Sequence, residues 1–399
     1  MGERIAIVGV GQTEFKSRWM EISQTEMVNI AVNRALENAQ LSMKEIDTVI
    51  MGNMELFEGN YLVDMWMTEG DGAYMKSGMK VQTGGSTGST VSCTVFDHAA
   101  SGLFGTVLGI GFEKQDEGSS DASLRSISED SFFDIAGGAR GAAAPMIEQA
   151  LEMLERGSVT EEQIARLRVQ EAEAAMRNPY AHLRKRLTVE EVLNSRDIIP
   201  PLKILHMCPT SVGACAIIAA PEKVAKKISP NPAWVADWVT IHGGVQPPIG
   251  HFGMCLGKGP LGPLWAFGIE TASIKLYKRN GITNPRKELD VVEPYNMSTW
   301  HEAEWYERMH LCEKGEAGKL IDEGATALDG DIPVCPSGGV VSTNAIGASA
   351  MLRIAEAAIQ IRGEGGDRQV SDVKTAFAVT AGGDSYSTAV LLRKSLTDY

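Results

Sequence analysis

The chain has little with which to hold a metal or a nucleic acid. Its six cysteines, Cys93, Cys208, Cys215, Cys255, Cys312 and Cys335, are scattered, with no C-x-x-C pair and no histidine at metal-ligand spacing. No metal is therefore expected in this chain, and the cysteines read as small buried hydrophobes. Positive charge is short too. Lys and Arg number 37 against 51 Asp and Glu, a net charge of −14, which argues against nucleic acid or an anionic membrane as partner. No apolar run reaches membrane length, and the opening MGERIAIVGVG reads as a strand and not as a signal peptide. A cytoplasmic location is the expectation. Gly9-Val10-Gly11 lacks the third glycine of a dinucleotide fingerprint. What is present is an ordinary globular composition, 44% hydrophobic and 22% charged over 399 residues, enough for two core-bearing halves and an insertion.

The stretch Val81–Lys114 organises the rest. It reads as a glycine turn, Gly84-Gly85-Ser86-Thr87-Gly88, then a buried helix ending at Ser101-Gly102, then a strand ending at Gly111-Phe112-Glu113-Lys114. Such a turn at a helix start presents bare backbone N–H groups to whatever chemistry sits beside it. Before it, periodicity predicts a strand from Ile5, a helix over Gln24–Ala39 and a strand over Thr48–Met51. The segment Glu58–Met79 reads as a surface excursion that packs against a partner subunit. After it, Thr160-Glu161-Glu162-Gln163 and Thr188-Val189-Glu190-Glu191 are capping boxes that open helices. Between them His182, Arg184, Lys185 and Arg186 form the one concentrated basic run of an acidic chain. It is either a solvated loop or a contact for a phosphorylated ligand.

The second half echoes the first. Ala31–Ile50 parallels Ala272–Glu293, each a helix and a short turn leading through Glu-Ile/Leu-Asp into a strand. The glycine turn is echoed by Gly338-Gly339 through Gly347, before a helix over Ala348–Arg362. The strand Thr106–Gly111 is echoed by Thr375–Ala381, ending at Gly382-Gly383. Duplicated β-α-β units predict an α/β protein with two similar layered halves about a pseudo-twofold axis, their glycine turns converging.

These landmarks resemble the thiolase superfamily over essentially the full length, in its sterol-carrier and archaeal-type branch. The matching blocks include AIVGVGQTEF, the pairing of Ser101-Gly102 with Gly111–Lys114, and EEVLNSRDIIPPLKILHMCP. They continue with Cys312–Val334, SGGVVS at Ser337–Ser342, Ile359–Val370 and the terminal Gly382-Gly383. The resemblance implies two duplicated α-β-α-β-α halves with an inserted loop domain. The N-terminal half would span 1–118, completed by 201–225, the loop domain 119–200 and the C-terminal half 226–399. It also implies acyl-CoA as ligand, coenzyme A as substrate or product, and a homodimer core.

The family's catalytic positions are altered together. Its nucleophilic cysteine falls at Gly85, and the histidine motif becomes Asn344-Ala345-Ile346-Gly347. The third catalytic loop carries Tyr295, and the second cysteine falls in Val379-Thr380-Ala381. The expected site is therefore an oxyanion- and enolate-binding one, made by Tyr295, Asn344, the turn at Gly85 and Ser86, and Gly383. Ser86 is an alternative nucleophile lacking an evident base. Arg140, Arg184, Lys185 and Arg186 are candidates for the CoA phosphates, and His251 and Gly257 for the pantetheine side. The implied activity is carbon–carbon bond cleavage or formation in an acyl-CoA, as in benzoylsuccinyl-CoA thiolases. The alternatives are a thiolase-fold retro-aldolase acting on a β-hydroxyacyl-CoA, as in steroid side-chain breakdown, and a non-catalytic CoA-binding subunit. Both enzyme subgroups imply a small zinc-ribbon/OB-fold partner.

Overall fold

The computed structural model describes residues 2–119, 144–242, 264–382 and 386–396. In chain order the first elements are β1 (Ile5–Gln12), α1 (Gln24–Ala39), β2 (Thr48–Gly52), α2 (Val63–Trp66), β3 (Ser77–Lys80), α3 (Thr87–Ala100) and β4 (Val107–Lys114). An insertion follows with α4 (Ala144–Glu155), α5 (Glu161–Arg177), α6 (Val189–Leu193) and the strand pair β5 (Asp197–Ile199) and β6 (Leu202–Lys203). Next come β7 (Val212–Pro221), α7 (Glu222–Ile228), β8 (Ala233–His242), α8 (Leu264–Asn280), α9 (Pro285–Glu288) and β9 (Val291–Pro294). The last are α10 (Thr299–Arg308), α11 (Ala317–Asp322), α12 (Ile346–Arg362), β10 (Thr375–Gly382) and β11 (Tyr386–Arg393).

The duplication is visible in the sheet. Nine strands run in the order β3-β2-β4-β7-β1-β8-β11-β10-β9. From the centre outward, β1-β7-β4-β2 and β8-β11-β10-β9 carry the same sequence of pairings: antiparallel, antiparallel, parallel. The halves meet where β1 pairs antiparallel with β8, Ile5 opposite Val235 and Ile7 opposite Ala233. The two duplicated halves are thus joined edge to edge through β1 and β8, with β3 as an extra edge strand. Strands β1, β4 and β7 are buried at every residue, which explains their unbroken apolar runs, because helices cover both faces.

Two central helices lie on one face. α3 and α12 pack together so closely at Gly88 that an added Cβ would lie 2.5 Å from the Met351 backbone nitrogen. Gly9 and Gly11 have a packing role as well, since a Cβ on Gly11 would meet the Ala31 carbonyl of α1 at 2.1 Å. The capping boxes of α5 and α6 form as expected from sequence, and α1 has a third at Ser23 and Glu26. The insertion interrupts the first half but joins the core of the second. Met146, Ile164 and Leu167 pack in one cluster with Trp300, Trp305 and Tyr306, and Gln163 bonds Gly318 and Asp322. Among the described residues no helix is long and apolar enough to cross a membrane.

Candidate active site

The glycine turn before α3 is held by its own side chains. Gly84 adopts a left-handed φ of 59°, which an L-residue resists. The Thr87 hydroxyl donates to the Gly84 carbonyl at 2.7 Å and accepts from the Thr83 N–H at 3.0 Å. Gly382, at the end of β10, lies flat on this turn, since a Cβ there would sit 2.0 Å from the Ser86 nitrogen. Ser86 is fully buried, and its hydroxyl donates to the Tyr386 carbonyl at 3.4 Å. No base is among its hydrogen-bond partners in the described residues.

Gly85 can take a Cβ at ordinary contact distances. A Cβ there would lie 3.4 Å from the Gly382 Cα, 3.6 Å from the Ala381 carbonyl and 3.6 Å from the Tyr295 hydroxyl. Tyr295 follows β9, and its N–H is tied to the Val379 carbonyl of β10 at 2.9 Å. The side chain is 1% exposed. Burial raises the phenol pKa further above its ordinary value, helped by the Cys208 sulfur and opposed by Arg353, so the hydroxyl stays a neutral donor.

Asn344 completes the group. Its Oδ1 accepts from the Tyr295 hydroxyl at 3.4 Å and from the Ser349 hydroxyl at 3.0 Å. Its Nδ2 donates to the Cys208 sulfur at 3.2 Å. The Ser211 hydroxyl accepts from the Asn344 N–H at 2.9 Å, and its own partner is Nδ1 of His182, also at 2.9 Å. Burial pushes the Cys208 thiol up to about 12, against the Asn344 bond, which lowers it. A thiol so held is mostly protonated at neutral pH and is a weak nucleophile.

Electrostatically the two helix starts differ. The Gly347 N–H in the first turn of α12 donates to the Glu113 carboxylate at 2.8 Å, so a side chain already occupies that end. Glu113 is wholly buried beside Glu58, and burial raises its pKa well above the usual carboxylate range. At α3 the capping position is Ser86, whose side chain caps nothing. The positive end available to a ligand is that of α3. Behind Tyr295, Glu293 accepts from Arg353 at 2.6 Å and from the Ser337 hydroxyl at 3.0 Å. Burial pushes that carboxyl up to about 7, with Arg353 opposing. This pair anchors the loop that carries Tyr295.

Gly85, Ser86, Tyr295 and Asn344, far apart in sequence, thus come together. Arg184, Lys185 and Arg186 are exposed on the insertion. Arg184 bonds the Met176 carbonyl, and Lys185 pairs with Glu191 at 3.5 Å. Arg140, His251, Gly257 and Gly383 lie outside the described residues. Sequence reasoning missed Cys208, Ser211 and Glu113. Cys208 was read as a small buried hydrophobe, but it is only partly buried and lines the site. Its partner is 136 residues away, and no local pattern could have signalled it.

The nine-stranded sheet, the two central helices and the converging turns define a thiolase-type fold. Comparison with known proteins agrees. The Thiolase C-terminal domain-like family model matches residues 263–394. The acetyl-CoA acetyltransferase of Methanocaldococcus jannaschii is 30% identical over 391 residues, 94% of each chain. The benzoylsuccinyl-CoA thiolase subunit BbsB of Thauera aromatica is 31% identical over 238 residues, 58% of this chain and 57% of that one. Among solved structures, an Ltp2-ChsH2(DUF35) aldolase superposes with a TM-score of 0.82 over 99% of both chains at 21% identity. Human mitochondrial 3-ketoacyl-CoA thiolase in complex with CoA gives 0.72 over 98% of both at 15%. This chain belongs to the thiolase superfamily.

Proposed function

We propose that the protein makes or breaks a carbon–carbon bond in an acyl-CoA by stabilising an enolate, without an acyl-enzyme. The observation that carries this is Gly85 itself, which brings no nucleophilic side chain to a position 3.6 Å from the buried Tyr295 hydroxyl and in contact with the end of β10. A free CoA thiol would add directly to the β-keto carbonyl. The carbon–carbon bond then breaks, its electron pair goes to the acyl-CoA enolate, and the thiol proton ends on the enolate carbon. Tyr295, the Asn344 amide and the N–H groups of the α3 turn are the donors that suit the oxygen where charge develops.

The substrate proposed is (S)-2-benzoylsuccinyl-CoA, which with CoA gives benzoyl-CoA and succinyl-CoA. The likeness to the Thauera aromatica subunit supports it. A homodimer core with a small zinc-ribbon/OB-fold subunit is proposed as the working assembly. That BbsB is one subunit of its thiolase, and that the Ltp2 aldolase includes ChsH2(DUF35), supports a second chain. The exposed Tyr61, Trp66, Tyr74 and Met75 beside edge strand β3 suit a subunit interface. The reaction is tested by incubating benzoyl-CoA and succinyl-CoA with the protein, with and without that partner. Condensation product supports the proposal, and none in either mixture overturns it.

A second reading rests on the same tyrosine. In a retro-aldol reaction the β-hydroxyl proton leaves, the carbon–carbon bond breaks to a ketone, and the acyl-CoA enolate takes up a proton. No nucleophile is needed, and the Tyr295 hydroxyl, 3.6 Å from a Cβ placed on Gly85, is the acid at hand. Release of a ketone from a β-hydroxyacyl-CoA, with no condensation in the first assay, would favour it.

A further inference from the structure

The insertion touches the site through one histidine. Its segment at 182–183 lies along the loop that carries Asn344: the His182 N–H donates to the Thr343 hydroxyl at 3.0 Å and the Leu183 N–H to the Ser342 carbonyl at 2.9 Å. Ser211, just before β7, joins both. Its backbone N–H donates to the Asn344 carbonyl and its hydroxyl accepts from the Asn344 N–H, each at 2.9 Å. Ser211 is fully buried. The hydroxyl that accepts from Asn344 is in turn hydrogen-bonded to Nδ1 of His182, 2.9 Å away. We propose that His182 is a positioning residue for Asn344, acting through Ser211, so that the loop domain sets where the Asn344 amide meets the reacting carbonyl.

Three features of the geometry favour this over a packing role. His182 is only half-buried, so little apolar area depends on it. Its bond goes to a hydroxyl whose other partner is the main chain of Asn344, which leaves that residue's side chain free to face Tyr295 and Cys208. The hydroxyl also links the two groups in either ring tautomer: while accepting from the Asn344 N–H it still has a proton to give, or a second lone pair to offer, to Nδ1. Burial lowers the pKa of His182, in keeping with a neutral ring. Arg184, Lys185 and Arg186 follow two residues later, so a ligand phosphate held there would pull on the same segment.

The inference rests on the reading that Asn344 acts on the substrate, and its test separates the two. The variants are His182→Ala, His182→Asn, Asn344→Ala and the double variant His182→Ala with Asn344→Ala. Asparagine keeps a hydrogen-bonding group near the Nδ1 position. The first measurement is hydrogen–deuterium exchange of the Asn344 amide, which needs no substrate. His182→Ala should speed it about tenfold with β7 still protected, and His182→Asn should stay within about twofold of wild type. The second is kcat and KM for the condensation. His182→Ala should lower kcat about tenfold or more at unchanged KM, since displacements of about 1 Å can cost up to about a hundredfold. The double variant should be no slower than Asn344→Ala alone. Unchanged Asn344 exchange in His182→Ala, or additive losses in the double variant, would overturn the proposal. If Asn344→Ala keeps the wild-type rate, the reading of the site falls and this inference with it. If the wild type makes no condensation product, the substrate reading falls, and the exchange measurement alone decides the positioning role.

Discussion

Replacing Tyr295 by phenylalanine removes one oxygen from the centre of the site and little else. The ring stays in its pocket, 1% exposed, and the bonds lost are the 3.4 Å contact to Asn344 Oδ1 and an interaction with the Ser349 hydroxyl. The contact to Asn344 is long, and the Asn344 oxygen keeps its 3.0 Å bond from Ser349. The stability loss should therefore be no more than about 1 kcal/mol, a fall in melting temperature of a few degrees. Loss of a preorganised donor to a developing oxyanion instead raises the barrier by about 3–4 kcal/mol. Turnover should accordingly fall by about two to three orders of magnitude, with folding intact. The assay is steady-state condensation of benzoyl-CoA and succinyl-CoA beside a thermal melt. A variant that melts with the wild type and turns over at its rate would refute the assignment of Tyr295 and the enolate mechanism built on it.

Further outcomes can be checked alongside. Intact-mass analysis after incubation with an acyl-CoA should show no acyl adduct on the wild type; an adduct on Ser86 or Cys208 would show covalent catalysis. Gly85→Cys should fold, because its Cβ meets neighbours at ordinary contact distances of 3.4–3.6 Å. Its thiol should alkylate faster than Cys208, and equal rates would mean that the turn does not activate a thiol. Trp66→Glu, in the exposed apolar excursion, should shift a dimer toward monomer in light scattering, and an unchanged mass would place the interface elsewhere. His206 accepts the Trp300 indole N–H at 3.1 Å and the Lys203 N–H at 3.2 Å on Nδ1, and burial pushes its pKa down from 6.5 to about 4. The unfolded chain binds more protons between those pH values, so stability should fall as pH drops from 6.5 toward 4, by up to about 3 kcal/mol. In His206→Gln, urea midpoints should fall less over that range, and parallel curves would contradict the account.

Much of the framework was legible because its signals are local. The limits of α1, the capping boxes at Thr160 and Thr188, and the paired helix-turn-strand units are each written within about 20 consecutive residues. Tyr295 and Asn344 were reached through the resemblance to the thiolase superfamily, whose catalytic positions fall on them. The sequence could not show what lies between those residues. Cys208, Ser211 and His182 meet Asn344 across intervals no periodicity spans. Glu113 reads as the polar end of a strand, but it is wholly buried and occupies the start of α12 in the opposite half. The continuity of the sheet was hidden for the same reason, since nothing in β1 or β8 alone indicates that they pair.

That pairing bears on how the chain is made. As the polypeptide leaves the ribosome, β1 emerges early and gains β7 on one edge only after the whole insertion has been translated. Its other edge stays open until Ala233–Val235 appears, and β8 in turn waits for β11. The middle of the molecule is thus the last part to close. A nascent chain stalled before β8 carries at its centre a strand with one edge open, the kind of surface that chaperones retain and that aggregates when they do not.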